Sequence, residues 1–311
     1  LTDVEQVAHR CRVAIDGLRQ ELTQRHGWTR IEVEVRVEAP QRVALRGEAV
    51  VDRVVDAVVR RVMSELPDGW TVDTQGLTPL RGGAWHSLQP GVHRLFARLD
   101  RQTSGWGAWV ELTECDDPVQ VLDEVQGMTL VRGRDATVGW LQEGLGDETS
   151  PVPIEPPVLR EPQRMIESAR EMLEVVYVLG GATRAGVDCS SLVQRAAAEL
   201  GLLLPRHSSD QLQIDPREGM GSAAGDLAFA WNEREALCHV GIVTGPTVLH
   251  ASLSRRRVLE DPLSAFASDS RRLMFVPFES LLAFGERVAG FASLTAAGFA
   301  VGRPPPPLPA E

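Results

Sequence analysis

Gly186-Val187-Asp188-Cys189-Ser190-Ser191-Leu192-Val193-Gln194-Arg195-Ala196-Ala197-Ala198-Glu199-Leu200 is the stretch on which the reading of this chain turns. From Leu192 to Leu200 the run is rich in helix formers, and Gly201 is a natural stop. Cys189 therefore falls at, or just inside, a helix N-terminus. The unpaired N–H groups and aligned dipoles of a first turn stabilise negative charge. A thiol there is expected to ionise more easily, and the thiolate is the form that attacks carbonyls. On its own, the same cysteine reads equally as a buried, inert thiol. The other cysteines, Cys11, Cys115 and Cys238, show no CxxC or metal spacing with it. A chain this long needs no disulfide staples, so all four are expected to be free.

Downstream, Gly225-Asp226-Leu227-Ala228-Phe229-Ala230 reads as a turn followed by a strand. Cys238-His239-Val240-Gly241-Ile242-Val243-Thr244, Gly245-Pro246, and Val248-Leu249-His250-Ala251-Ser252 read as a β-hairpin. Side chains alternate along a strand, so the parity of the loop decides which residues share a face. An even loop, Gly245-Pro246 or Thr244 to Thr247, sets His239 opposite Ser252 and His250 opposite Gly241. Both imidazoles then lie on one face as diagonal neighbours. An odd loop sends them to opposite faces. With even parity the chain offers a thiol at a helix start and two histidines on one sheet face. A thiol and an imidazole oriented by a third polar group is the arrangement of thiol proteases. His239 would accept the thiol proton, and His250 would hold the His239 ring in the useful tautomer.

These residues carry a resemblance. Tyr177-Val178-Leu179-Gly180-Gly181, Asp188-Cys189-Ser190-Ser191-Leu192-Val193-Gln194, Leu204-Pro205-Arg206-His207-Ser208-Ser209-Asp210-Gln211, Gly225-Asp226-Leu227, His239-Val240-Gly241-Ile242-Val243 and His250-Ala251-Ser252 resemble, in order, the NlpC/P60 family over residues 163–285. The resemblance implies an α+β, papain-like catalytic domain with a Cys189–His239–His250 set. It also implies hydrolysis of peptide bonds in peptidoglycan stem peptides, often the bond after γ-D-glutamate. It gives Tyr177 a place beside the reacting centre, its hydroxyl aiding the oxyanion, with plain packing as the competing role. The Cys189 N–H would be another oxyanion donor. Asp188 and Ser190 would face the substrate amine and peptide. Arg206 and Ser208 would line substrate subsites, Arg206 as partner for a carboxylate. The competing role for Asp188 is a helix cap. No cofactor and no metal are expected.

The chain departs from the family at a few positions. Ser191 stands where glycine is common. Cys238 precedes His239, and alternation turns it away from the catalytic face as a buried spectator. Tyr177 is the only tyrosine. In relatives with an SH3-like domain, the γ-D-glutamyl-L-diamino acid endopeptidases, a tyrosine of that domain helps hold the substrate amine. Here Trp106 or Trp109 would have to substitute, against the simpler role of barrel core.

The SH3-like expectation comes from residues 76–150, where short alternating runs (Leu95–Leu99, Trp109–Leu112, Val119–Leu122, Met128–Val131, Val138–Leu141) are separated by Gly and Asp turns. The stretch from Asp117 through Gly139-Trp140 resembles a bacterial SH3-like β-barrel. Residues 1–75 read as a small α/β domain in the order α-β-β-α-β, similar to the BON type. They comprise a helix over 2–25, strands at Ile31–Val37 and Val43–Arg46, a valine-striped helix from Val50 to Val62, and a strand at Trp70–Val72. Prolines in 151–162 mark an extended linker. The third domain opens with a helical stripe from Met165 to Tyr177. Residues 286–311, with Pro304 to Pro307, read as a tail.

Composition narrows the partners. The chain has 311 residues and a formal net charge of −11, which disfavours nucleic acid and anionic membranes. The run Val288 to Gly302 is too short and too rich in Gly and Ala for an integral membrane span. Leu1 to Gln24 carries charges throughout, with no signal-peptide core. Both a cytoplasmic role in wall-peptide recycling and an exported one fit, and sequence is silent on oligomeric state. Arg255-Arg256-Arg257 reads as an exposed turn, and Glu114, Asp116 and Asp117 as a solvated loop without metal-ligand spacing. Two alternatives stand beside the peptidase: a wall-peptide binding protein with a weak or silent catalytic domain, and a papain-like amidase or acyltransferase.

Overall fold

The computed structural model describes residues 3–26, 31–38, 41–49, 52–80, 82–96, 110–113, 118–125, 127–135, 137–151, 160–218, 223–231, 238–268 and 272–288. The expectations for Trp106, Trp109, Cys115, Glu114, Asp116 and Asp117, for the 152–159 stretch of the linker, for the side chain of Cys238 and for the tail beyond residue 288 lie outside the described residues.

The N-terminal region follows the expected order: α1 (Asp3–His26), β1 (Ile31–Glu38), β2 (Arg42–Ala49), α2 (Asp52–Met63) and β3 (Thr71–Pro79). β1 and β2 pair antiparallel, and the crossover through α2 makes β3 parallel to β2. Val7, Cys11, Ile15 and Leu18 of α1 and Val54, Val58 and Val62 of α2 bury their stripes in one core.

The second region holds β4 (Trp85–Leu88), β5 (Val92–Phe96), β6 (Val110–Thr113), β7 (Val119–Val125), β8 (Met128–Arg132), β9 (Val138–Leu141) and β10 (Leu145–Thr149). They form one sheet in the order β10-β4-β7-β8-β9-β5-β6, with antiparallel pairing throughout. Alternation gives this sheet two apolar faces. Leu122, Met128, Leu130, Val138 and Trp140 join the core of α1 and α2, whereas Leu88, Leu95, Val119, Val131 and Leu141 form another cluster. A boundary at residue 75 thus falls inside β3, and the core crosses it.

The third region is α+β. It runs α3 (Pro162–Arg170), β11 (Ala182–Thr183), β12 (Gly186–Val187), α4 (Cys189–Ala198), α5 (Ser208–Leu212), β13 (Arg217–Glu218), β14 (Leu227–Trp231), β15 (Cys238–Val243), β16 (Thr247–Ser252), β17 (Arg257–Pro262), α6 (Leu263–Phe266), β18 (Arg272–Val276) and α7 (Phe278–Val288). The six-stranded antiparallel sheet has the order β13-β18-β14-β15-β16-β17. Leu192, Val193, Ala196 and Ala197 of α4 share a core with Phe229, Val240, Ile242, Leu249 and Ala251 of the sheet. The helical stripe expected to reach Tyr177 stops at Arg170. Glu174 has φ +66°, and its N–H donates to the Val258 carbonyl, so the β-branched Val175-Val176 pair runs as strand-like backbone against β17. No helix among the described residues is long and apolar enough to cross a membrane.

Candidate active site

Asp188 starts α4 with a capping box. Its side chain accepts the Ser191 N–H at 2.8 Å, and its own N–H donates to the Ser191 hydroxyl at 3.0 Å. Ser191, which stands where glycine is common in the family, therefore ties the helix start to the preceding turn. Its hydroxyl also donates to the Gly181 carbonyl at 2.6 Å. Cys189 becomes the first helical residue, where its N–H has no intrahelical acceptor. At the far end Gly201 takes φ +64° and its N–H donates to the Ala198 carbonyl, the stop expected of it.

The hairpin opposite has the even register. Ile242 pairs with Leu249 and Val243 with Val248, and a four-residue loop is closed by the Thr244 N–H on the Thr247 carbonyl. Continuing that register sets Gly241 opposite His250. A Cβ on Gly241 would stand 2.4 Å from Val248 Cγ1 and 2.9 Å from His250 Cβ. The missing side chain is what lets the rings close. His239 Nε2 lies 2.8 Å from His250 Nδ1, with the ring planes 77° apart. Phe266 of α6 walls both imidazoles, with centroids 5.2 Å from His239 and 5.0 Å from His250. The bonded pairs of the β15–β16 ladder sit next to the turn. Beyond them the Val240 N–H is directed at the Cys189 sulfur. The thiol therefore lies against β15 at the residue after His239. With His239 Nε2 engaged by His250, its Nδ1 is the ring nitrogen left for the thiol.

Ionisation runs against the expectation of an acidic thiol. Burial, then the charge of Asp188, push the Cys189 thiol up to about 12; the Val240 N–H, Arg206 and the Ser190 N–H oppose them. Burial and then His250 push His239 down to about 3. The helix terminus is outweighed here by desolvation and an adjacent carboxylate. Both shifts favour the neutral thiol and the neutral imidazole. A proton passed between them creates two opposite charges together, which attract in a site of low polarity.

Three of the residues expected at the substrate bond one another. Arg206 is 3% exposed, and its fork grips Asp188, with Nη1 to Oδ1 at 2.9 Å and Nη2 to Oδ2 at 2.7 Å. Its remaining bonds go to the Ser190 hydroxyl at 3.1 Å and the Gly181 carbonyl at 3.3 Å. It therefore anchors the Asp188 cap. Asp188 is likewise saturated: besides Arg206 and Ser191 it accepts the Gly180 N–H at 3.1 Å and the Ser190 hydroxyl at 3.2 Å. Ser190 is buried in the same network. Ser208 opens the short helix α5 and is half-buried. Tyr177 is half-buried, joined by backbone to Val187, and near enough to Cys189 and Asp188 that burial and both charges raise its pKa. Its hydroxyl stays protonated, as a hydrogen-bond donor must.

Sequence reasoning missed Asp261 and Phe266. His250 Nε2 lies 3.3 Å from Asp261 Oδ2, and Arg255 Nη1 lies 3.1 Å from Asp261 Oδ1. The signal was the same parity that paired the histidines. β16 and β17 set His250 opposite Leu259 and Val248 opposite Asp261, which makes Asp261 the next diagonal neighbour. No cluster of three or more His, Cys, Asp or Glu among the described residues has the arrangement of a metal site.

The third region is thus an α+β domain in which a helix-borne thiol docks on an antiparallel sheet that presents paired imidazoles. Residues 174–273 match the family model described as the NlpC/P60 family, and this domain is a member of that family. Among curated relatives, the murein DD-endopeptidase MepS/murein LD-carboxypeptidase of Escherichia coli K12 is 35% identical over 94 residues, 29% of this chain and 50% of that protein. The chain thus spans about half the length of the curated relatives it matches. Similar solved structures include the peptidoglycan hydrolase RipB of Mycobacterium tuberculosis, 26% identical, covering 38% of this chain and 64% of that one at a TM-score of 0.33. An NlpC/P60 family protein from Bacillus cereus is 16% identical, covering 62% and 63% at a TM-score of 0.34.

Proposed function

We propose that this protein is a cysteine peptidase that hydrolyses peptidoglycan stem peptides, with Cys189 as nucleophile, His239 as general base and His250 as the group that orients it. The observation that carries the reading is the pair of imidazoles at 2.8 Å on one sheet face, with the neighbouring Val240 N–H on the sulfur of a cysteine at a capped helix start. As Sγ attacks the scissile carbonyl carbon, its proton passes to His239 Nδ1. The Cys189 N–H and the Tyr177 hydroxyl are the donors for the developing oxyanion. His239 then returns the proton to the leaving amine, and water, deprotonated by the same ring, releases the acid from the thioester.

The bond we propose is the one after γ-D-glutamate. Its support is the family resemblance together with an all-β region directly before the catalytic domain. Because Asp188 is filled by the protein's own donors, we expect no strict demand for a free L-alanine amine. The test is mass spectrometry of products from L-Ala-γ-D-Glu-diamino acid peptides, free and N-acetylated, with wild type and Cys189→Ala. The reading predicts cleavage after γ-D-glutamate that Cys189→Ala abolishes, with free and acetylated substrates within about threefold of each other, under about 1 kcal/mol apart. Undiminished cleavage by Cys189→Ala would discard the mechanism. Products cut at a different bond would keep the peptidase and discard the specificity.

A further inference from the structure

We infer that Asp261 is a positioning residue of this site: its carboxylate, steadied by Arg255, fixes the tautomers of His250 and, through it, of His239. The inference rests on the cysteine peptidase reading and adds a fourth group to it. Donors and acceptors decide the order of protons along the row. The carboxylate has only acceptors to offer, so His250 Nε2, at 3.3 Å from Oδ2, donates to it. A neutral imidazole carries one N–H, so His250 Nδ1 is left with a lone pair. That lone pair faces His239 Nε2 at 2.8 Å, so His239 donates there, and its own proton is fixed on Nε2. The nitrogen remaining to His239 is a bare Nδ1, the form that can take a proton from a thiol. Without the carboxylate, His250 can as well carry its proton on Nδ1. His239 must then accept it at Nε2 and hold its own proton on Nδ1, where a base is needed.

The surroundings favour this order over free exchange. His250 is 4% exposed and Asp261 9%, so water does not compete freely for the ring or for the carboxylate. Arg255 Nη1, at 3.1 Å, occupies the other oxygen and keeps the carboxylate turned toward the ring. Phe266, five residues after Asp261 on α6, stacks near both imidazoles and restrains their planes. Asp261 also has the right place in the sheet. The steps from His239 to His250 and from His250 to Asp261 each span 11 residues, and both cross one strand pair diagonally.

The experiment reads the tautomers directly. In full-length protein labelled with nitrogen-15 histidine, ring nitrogen shifts distinguish protonated from bare positions, and His250→Asn and His239→Gln assign the two rings. The expected wild-type result is a proton on Nε2 and a bare Nδ1 in both. In Asp261→Ala, folded by circular dichroism, His250 is expected to populate the Nδ1–H form and His239 to follow. kcat should fall about 100-fold or more with KM within about twofold, as for an imidazole held in the wrong tautomer. Asp261→Asn should not restore the wild-type tautomers: Arg255 can only donate and claims the amide oxygen, so the amide N–H faces His250 Nε2, favours the Nδ1–H form, and kcat should stay about 100-fold or more below wild type. Unchanged tautomers in Asp261→Ala would overturn the inference. If that variant does not fold, a proton on His239 Nδ1 in the wild type would do the same. The nitrogen shifts need no turnover, so their failure leaves the peptidase reading standing. A wild type inactive on every stem peptide would instead strike that reading and not the tautomer result.

Discussion

Two arginine–carboxylate sites in this chain share their chemistry and differ in setting. In the N-terminal region Asp73 is held by Arg42 at 2.8 Å and Arg46 at 2.7 Å, and the two guanidinium side chains are 51% and 32% exposed. In the third region Arg206 grips Asp188 at 2.7 Å, with side chains 2% and 9% exposed. The geometry alone would rank them equal. Water separates them: the first pair is solvated on its basic side and screened, whereas in the second each charge depends on the other. The first decorates a strand edge. The second holds the turn from Gly180 to Ser191 that carries Cys189.

Truncating one arginine of each pair gives that contrast its largest test. Arg206→Leu strands the Asp188 charge in the interior and is expected to cost about 3–5 kcal/mol in urea denaturation. Arg42→Ala should move the midpoint far less, since Arg46 still holds Asp73. Equal losses would erase the distinction between the two sites. A smaller effect is expected from Gly241→Ala. The new methyl needs space now taken by Val248 and His250, for about 1–3 kcal/mol of overpacking, with a disproportionate loss of kcat because His250 is one of the groups displaced. The same substitution at Gly17, where a Cβ meets nothing, should be silent for activity.

The smallest expected effect concerns pH. Burial holds His239 down at about 3 against an ordinary 6.5. Above pH 6.5 neither the folded nor the unfolded chain binds this proton. As pH falls from 6.5 toward 3 the unfolded chain takes it up first, so this contribution to stability is full at neutral pH and is lost on acidification. Denaturation midpoints should fall across that window less steeply in His239→Gln than in wild type. For the same reason the acid limb of kcat/KM, which reports the free enzyme's base, should lie well below 6.5. A limb at or above that ordinary value would mean that burial does not hold the His239 imidazole down.

The contrast between the two sites also explains what sequence could and could not disclose. Periodicity and parity are local properties, so the capped helix at Cys189, the even hairpin and the α-β-β-α-β order of the first region were legible. Asp261 lay within reach of the same parity rule, one strand further on. Burial is not local. Nothing in Leu204-Pro205-Arg206 says that its guanidinium turns inward to Asp188, and so three residues expected at a substrate prove to hold one another. The same blindness affected the thiol: a helix start is visible in sequence, but the desolvation that outweighs it depends on β15 and on everything packed behind it. The helical stripe drawn through Tyr177 failed for a related reason. Val175 and Val176 fit a helical period, yet the edge of β17 offers their backbone partners that a helix would forgo.

The diagonal row from His239 to Asp261 occupies consecutive strands joined by tight turns, so the proton-handling half of the site can assemble from neighbouring segments of chain. Only the sulfur arrives from a distance, carried on α4. A brief lifting of that helix off its sheet would therefore part nucleophile from base while leaving the imidazoles hydrogen-bonded to each other. On the cysteine peptidase reading, competence is then a report on one docking event, and hydrogen exchange at the α4 amides should track how often it lapses.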